Sequence, residues 1–150
     1  MKVTILGSGA YGIALALMFN ENKCDITLWE KFEEHAKQLR ETRINDRVLP
    51  NVLIPKNIKI MSDLEESIKN SELIVIAIPT AFVTDVCKEL KKYIKSNQYI
   101  CIASKGIEQG TCLFIHDMIK KQINTKLIGA ISGPSFAVDL VKKVPVGLAV

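Results

Sequence analysis

Three glycines near the start of the chain constrain its fold more than any other feature. They are Gly7, Gly9 and Gly12, which lie between a short β-branched run at residues 2–6 and an apolar stretch of helical composition at residues 13–20. The first glycine permits a tight turn, the second lets another group approach the backbone, and the third lets a helix pack closely on a strand. The pattern therefore predicts a strand, a tight turn and a helix, in that order.

Strand and helix signals alternate along the rest of the chain. Further strands are predicted at residues 25–29, 58–61, 73–78, 99–103, 127–131 and 146–150. Further helices are predicted at residues 32–40, 64–69, 82–93, 111–121 and 136–142, with Ser62 and Asp63 at the start of the second of these. This alternation predicts an α/β fold of the Rossmann type, a doubly wound and mostly parallel sheet with helices on both faces.

The glycines belong to a longer motif, Gly7-Ser8-Gly9-Ala10-Tyr11-Gly12, which is the GxGxxG fingerprint of dinucleotide-binding proteins. Unpaired N–H groups at the start of the following helix attract a pyrophosphate. Glu30 ends the second predicted strand, at about the spacing (roughly 20 residues) where an acid contacts the adenosine ribose. The fingerprint and Glu30 predict a dinucleotide site, and the alternative is a glycine-rich turn that binds nothing.

The choice between the two nicotinamide dinucleotides depends on Glu30 and its neighbour Lys31. A carboxylate at Glu30 would accept a hydrogen bond from a ribose 2′-hydroxyl and repel a 2′-phosphate, which favours NAD. The Lys31 ammonium would offset that repulsion and admit NADP. The sequence therefore favours NAD and leaves NADP open.

Composition excludes several classes of partner. The 150 residues are enough for one domain, 48% of them are hydrophobic, and the net charge is only +4. There is no basic run interleaved with aromatic residues, so nucleic acid is a poor partner for this chain. No segment is long and apolar enough to span a membrane, and the glycines interrupt the apolar start in a way that disfavours a secretory signal.

Cysteine and histidine usage points to a reducing compartment without a metal site. The four cysteines are scattered and form no CxxC pair, which is typical of a cytoplasmic protein and not of a disulfide framework. His35 and His116 have no partners at ligand spacing, so no metal site is expected.

Lys105 stands just beyond the predicted strand at residues 99–103 and is followed at once by Gly106. Ligands of open α/β sheets gather beyond the carboxyl ends of the strands. A lysine at this place has three interpretations: a solvated turn residue, a catalytic base, or a cation that binds an anionic ligand.

Six segments together resemble the N-terminal domain of NAD(P)-dependent glycerol-3-phosphate dehydrogenase. They are GSGAYG, LWE, NDRVLPN, AIPTAF, SKGIE and SGPSFA, and they extend from one end of the chain to the other. The resemblance implies reduction of dihydroxyacetone phosphate to sn-glycerol 3-phosphate with NAD(P)H, a reaction that feeds phospholipid synthesis.

The resemblance also implies roles for individual residues. Cofactor contacts are implied for Ala10, Tyr11, Lys31 and Ala137, and Phe82 falls where an aromatic ring flanks the nicotinamide side. Lys105 matches a lysine that contacts both cofactor and substrate, and Gly133 and Ser135 match substrate contacts. For Ser135, a helix-capping or turn role is the competing interpretation.

Three positions depart from the family pattern. Val48 replaces a usual tyrosine, Asp139 replaces a glutamate, and Phe32 stands where many members have a second basic residue, which weakens the case for NADP. The resemblance places the proton-donating lysine in a helical C-terminal domain beyond Val150, so we expect no catalytic acid in this chain and little turnover from it alone. A homodimer formed through that domain is compatible with the resemblance.

Two other functions remain open at this point. One is a different Rossmann dehydrogenase, acting on a hydroxyacid, a sugar acid or ketopantoate. The other is a regulatory NAD-sensing module without chemistry, which has no need for a substrate-facing lysine and serine such as Lys105 and Ser135.

Overall fold

Six parallel strands form the centre of the computed structural model, which describes all 150 residues. They are β1 (Lys2–Leu6), β2 (Asp25–Trp29), β3 (Lys59–Met61), β4 (Leu73–Ile76), β5 (Tyr99–Ile102) and β6 (Ile128–Ala130). Their order across the sheet is β3-β2-β1-β4-β5-β6, and every neighbouring pair is parallel. This is the Rossmann strand order, with its topological switch point between β1 and β4. The predicted fold class is confirmed.

Helices cover both faces of the sheet. They are α1 (Ala10–Glu21), α2 (Glu33–Thr42), α3 (Leu64–Ile68), α4 (Val83–Leu90), α5 (Ile115–Gln122) and α6 (Ala137–Val141), with a 3₁₀ turn at Thr80–Phe82 before α4. Alternate strand residues face opposite sides, so Ile5 and Val75 pack with α1 and α2, whereas Leu6 and Ile76 pack with α3, α4 and α5. Full burial of each such side chain contributes about 1.5–3 kcal/mol. None of the helices has the length and apolar character needed to cross a membrane.

The predicted strand at residues 146–150 is wrong. Only Ala149 of this segment pairs with another residue, through two antiparallel hydrogen bonds to Ser132 of 3.0 and 2.7 Å. The next hydrogen-bonded pair of such a ladder would involve Pro134, and proline has no N–H to donate. The pairing therefore stops after one step. Val150, at the end of the predicted strand, has no strand partner.

Several element ends also differ from the prediction. β4 ends at Ile76, two residues early, because Ala77 and Ile78 lead into Pro79. α5 begins at Ile115, four residues late, because Cys112 has a left-handed backbone (φ 56°) and Phe114 pairs with Ile107 in an isolated bridge.

Asp63 caps α3, in agreement with the sequence pattern. Its Oδ1 accepts a hydrogen bond of 2.9 Å from the backbone N–H of Glu66. We expect Asp63→Ala to lower the free energy of unfolding by about 1 kcal/mol, because that N–H loses its partner. Urea denaturation measures the change, and Asp63→Asn is the control because asparagine caps as well as aspartate. An equal loss in both variants would show that the cap contributes nothing.

Candidate functional site

Two adjoining cavities open at the carboxyl ends of the strands, across the switch point. The first, here called the Glu30 cavity, is lined by Gly7, Ser8, Gly9, Trp29, Glu30, Lys31, Phe32, Ala77, Ile78, Pro79, Phe82 and Val86. The second, the Lys105 cavity, is lined by Gly9, Ala10, Tyr11, Ala77, Ile78, Pro79, Ala103, Ser104, Lys105, Ser135, Phe136 and Ala137. Gly9 and residues 77–79 belong to both, so the two cavities form one cleft. Of the residues predicted for the site, only Gly12 and Gly133 do not line it.

Each of the three fingerprint glycines is favoured over other residues for a different structural reason. Gly7 has φ +117°, and a Cβ there would lie 2.5 Å from the Ala77 carbonyl oxygen. A Cβ on Gly12 would lie 2.0 Å from the Gly7 carbonyl oxygen, so α1 could not pack as closely on the turn after β1. A Cβ on Gly9 meets nothing within 4 Å. Gly9 therefore leaves open space on the cleft wall, where a ligand can approach the backbone.

The start of α1 can face an anion. Gly9 is its N-cap residue and makes no side-chain capping bond, so the first N–H groups of this 12-residue helix have no capping side chain. These groups and the positive end of the helix dipole lie beside the open space at Gly9.

Glu30 is buried at the end of β2, with 9% of its surface exposed. Its Oε2 accepts a hydrogen bond from the Ser8 hydroxyl and lies 3.2 Å from His35 Nδ1. Its Oε1 accepts a bond of 3.1 Å from the Phe32 backbone N–H. The structure thus brings the predicted acid to the fingerprint turn, together with His35, which the sequence pattern did not single out.

Two exposed aromatic side chains stand on the wall of the Glu30 cavity. Phe32 is 66% exposed and Phe82 is 53% exposed. Phe82 does not line the Lys105 cavity, so its placement does not support the expectation that it flanks the nicotinamide side. Phe32, noted in the sequence only as a missing basic residue, supplies a second apolar surface beside Glu30 and Lys31.

Lys105 follows β5 and is held at its backbone, while its side chain is exposed. The Thr80 hydroxyl donates a bond of 2.7 Å to the Lys105 carbonyl oxygen, and the Ser104 hydroxyl donates to the carbonyl oxygens of Ile76 and Ile78. Gly106 has φ +112°, a conformation that favours glycine, so the chain turns away directly after the lysine.

The Lys105 ammonium lies among groups from two other segments. Its Nζ is 3.4 Å from the Gly133 carbonyl oxygen and 5.7 Å from the centroid of the Tyr11 ring, within cation–π distance. Gly133 therefore contacts the Lys105 ammonium through its carbonyl oxygen, although it does not line the cavity.

Ser135, which lines the Lys105 cavity, is buried, with 2% of its surface exposed. Its hydroxyl is hydrogen-bonded to the Tyr11 hydroxyl at 2.9 Å. α6 begins at Ala137 with Phe136 as its N-cap residue, so Ser135 does not cap this helix and the capping interpretation is wrong. Tyr11, Lys105 and Ser135 thus meet in one cluster, although they come from three separate segments.

One more buried residue supports the fingerprint turn. Asn45 lies in an irregular segment, and its Nδ2 donates a bond of 3.1 Å to the Ser8 carbonyl oxygen. Asn45 begins the NDRVLPN segment that carries part of the family resemblance, but no local pattern predicts its contact with Ser8, which lies 37 residues away in the chain. No group of three or more histidine, cysteine, aspartate or glutamate side chains is arranged to hold a metal ion.

Comparisons with known proteins show which family the chain belongs to. The family model described as the N-terminus of NAD-dependent glycerol-3-phosphate dehydrogenase matches residues 2–150. The chain belongs to this family. A glycerol-3-phosphate dehydrogenase [NAD(P)+] from Fusobacterium nucleatum is 35% identical over 147 residues, which are 97% of this chain and 44% of the relative.

Solved structures of glycerol-3-phosphate dehydrogenases share the same fold. The enzyme from Coxiella burnetii superposes with a TM-score of 0.91 at 27% identity, over 98% of this chain and 45% of that chain. A putative 2-dehydropantoate 2-reductase from Enterococcus faecalis, at 21% identity and a TM-score of 0.68 over 91% of this chain and 42% of that chain, shares the fold alone. The chain spans less than half the length of the glycerol-3-phosphate dehydrogenases that it matches.

Proposed function

We propose that residues 1–150 are the NAD(P)-binding domain of an oxidoreductase that interconverts dihydroxyacetone phosphate and sn-glycerol 3-phosphate, for glycerophospholipid synthesis. The observation that carries the proposal is the single cleft in which the fingerprint turn and Glu30 adjoin Lys105 and Ser135. A sensing module needs only the first half of that cleft.

The residues of the Glu30 cavity fit a nicotinamide dinucleotide. The open space at Gly9 and the uncapped start of α1 suit a pyrophosphate, and Glu30 suits a ribose hydroxyl. When bound, the cofactor supplies or accepts the hydride. Ala10, Tyr11 and Ala137 line the cleft further along, where the Lys105 cavity begins.

The residues of the Lys105 cavity fit a small oxygen-rich anion. Lys105 presents an exposed ammonium, which can hold a substrate oxygen and stabilise negative charge that develops on it. The Ser135 hydroxyl and the region of Gly133 stand beside it. We assign Lys105 the role of a positioning cation, and we place the proton-donating lysine in a helical C-terminal domain beyond Val150.

That second domain is part of the proposal, because the matched relatives are more than twice as long as this chain. We propose that it completes the substrate site and forms a homodimer interface, so that residues 1–150 alone have little or no turnover. All four cysteines are unpaired, which supports a reducing, cytoplasmic location.

The test is an assay of the full-length protein with NADH and a panel of carbonyl substrates. We expect oxidation of NADH with dihydroxyacetone phosphate and little with ketopantoate or simple 2-keto acids. Activity on ketopantoate alone would replace the proposal with the alternative dehydrogenase. Tight binding of NADH without oxidation by any substrate would favour the sensing module.

The hydroxyl of Tyr11 provides a more local prediction. Because it is bonded to the Ser135 hydroxyl at 2.9 Å, it fixes the direction of that hydroxyl in the substrate half of the cleft. We expect Tyr11→Phe in the full-length protein to raise KM for dihydroxyacetone phosphate about 5- to 10-fold, because a hydrogen bond contributes about 1 kcal/mol. The KM for NADH should change less than twofold. A rise in both values would indicate a general disturbance of the cleft.

A further inference from the structure

Glu30 is held in place by groups from three residues of the chain. A buried carboxylate needs partners for its charge, and here they come from three places: the Ser8 hydroxyl, the Phe32 backbone N–H and the His35 ring. Each carboxylate oxygen has about two positions at which it accepts hydrogen bonds. Oε2 accepts a hydrogen bond from Ser8 and also lies 3.2 Å from His35 Nδ1, at ion-pair distance, whereas Oε1 accepts only from the Phe32 N–H. One acceptor position, on Oε1, is therefore free for a ligand.

Ser8, which donates to Glu30, is itself held in place. Ser8 is buried in the fingerprint turn, and its carbonyl oxygen accepts the bond from the buried Asn45 amide. Glu30 is consequently tied to the turn after β1 and, through His35, to the first turn of α2. It cannot rotate away from the cleft without breaking a contact to one of these elements.

We propose that His35 is a positioning residue that keeps the Glu30 carboxylate directed into the cleft and thereby makes the site select NADH over NADPH. The inference rests on the proposed function, since it assumes that the Glu30 cavity holds the adenosine end of the cofactor. A fixed carboxylate accepts a 2′-hydroxyl at its free position and repels a 2′-phosphate at the same place. A carboxylate that can turn away would let Lys31, on the same cavity wall, attract the phosphate instead.

His35 can be changed without disturbing the core of the domain. Its side chain is 31% exposed, and the buried residues of α2 are Ala36 and Leu39. The nitrogen near Glu30 is Nδ1, and the contact is an ion pair when the imidazole is protonated. Asparagine places its amide nitrogen at the same number of bonds from Cα as Nδ1, whereas glutamine places it one bond further away. Both variants keep a polar nitrogen, but only asparagine keeps it at the position of Nδ1. Comparing them therefore tests whether that position matters.

The experiment measures Kd for NADH and for NADPH on the full-length protein, by fluorescence titration. We expect the ratio of Kd for NADPH to Kd for NADH to fall about tenfold in His35→Ala, because Glu30 loses the close His35 contact that holds it in the cleft. The ratio should return toward the wild-type value in His35→Asn but not in His35→Gln. His116→Ala is the matched control, because His116 pairs with Asp117 on α5 and lines neither cavity.

A double variant tests whether His35 acts through Glu30. Glu30→Gln removes the charge that His35 orients, so adding His35→Ala to it should leave the ratio unchanged. An unchanged ratio in His35→Ala, with both cofactors still bound, overturns the inference and leaves the proposed function in place. If His35→Ala does not fold, the Asn and Gln variants decide the question. A wild-type ratio of the two Kd values in both of them overturns the inference. Wild-type protein that binds neither cofactor overturns the proposed function itself.

Discussion

Lys105→Ala in the full-length protein should lower kcat/KM for dihydroxyacetone phosphate by roughly 100-fold or more, the usual cost of removing one preorganised electrostatic contact to a reacting group. Its ammonium is exposed in the cleft, near the Gly133 carbonyl oxygen and the Tyr11 ring, and it carries no packing role in the core. The free energy of unfolding should therefore change by less than about 0.5 kcal/mol. Steady-state kinetics and urea denaturation measure the two effects on the same sample.

Lys59→Ala is the matched control for this prediction. Lys59 is also exposed, but it lies at the amino end of β3, where it pairs with Asp25 on the opposite edge of the sheet from the cleft. Wild-type kinetics are expected for the control. If Lys105→Ala also retained wild-type kinetics, the lysine would be an ordinary surface turn residue.

Gly12→Ala should destabilise the domain by roughly 3 kcal/mol, at the upper end of the usual cost of overpacking. The added Cβ would lie 2.0 Å from the Gly7 carbonyl oxygen, and relief requires α1 to move away from the turn after β1. Thermal or urea unfolding measures the loss. Gly9→Ala, three residues earlier, tests the other role of the fingerprint.

For Gly9→Ala we expect unchanged stability and a loss of NADH affinity of at least about tenfold, because the new Cβ meets no protein atom within 4 Å and projects into open space. The backbone there is extended (φ −69°, ψ 175°), which alanine adopts without strain. Equal destabilisation by both substitutions would mean that the space at Gly9 serves folding. Wild-type NADH affinity in Gly9→Ala would move the pyrophosphate away from this turn.

The sequence predicted the elements that depend on local patterns. The glycine spacing, the apolar run of β4 and the Asp63 cap each act within a few neighbouring residues, and the structure contains the corresponding turn, strand and helix start. The error at residues 146–150 has a different origin. An apolar composition indicates burial, but strand pairing also needs a neighbour with free N–H groups, and Pro134 supplies none.

The sequence predicted which residues line the cleft more fully than it predicted their contacts with one another. The glycine motif, Glu30 and Lys105 were found because they stand at the ends of strands. The contacts of Glu30 with His35, of Ser8 with Asn45 and of Tyr11 with Ser135 join segments that only the folded sheet brings together. The position of Phe82 could not be predicted from the sequence either, because its place on the cleft wall depends on the 3₁₀ turn before α4.

The wall shared by the two cavities limits how the domain can change in evolution. Residues 77–79 face both halves of the cleft, and the next residue, Thr80, holds the backbone of Lys105. A substitution here that reshaped the Glu30 cavity would also shift Lys105 on the wall of the other cavity. Substitutions that alter the Glu30 cavity alone are therefore expected at the far rim, around residues 30–32, where changes leave the Lys105 cavity intact.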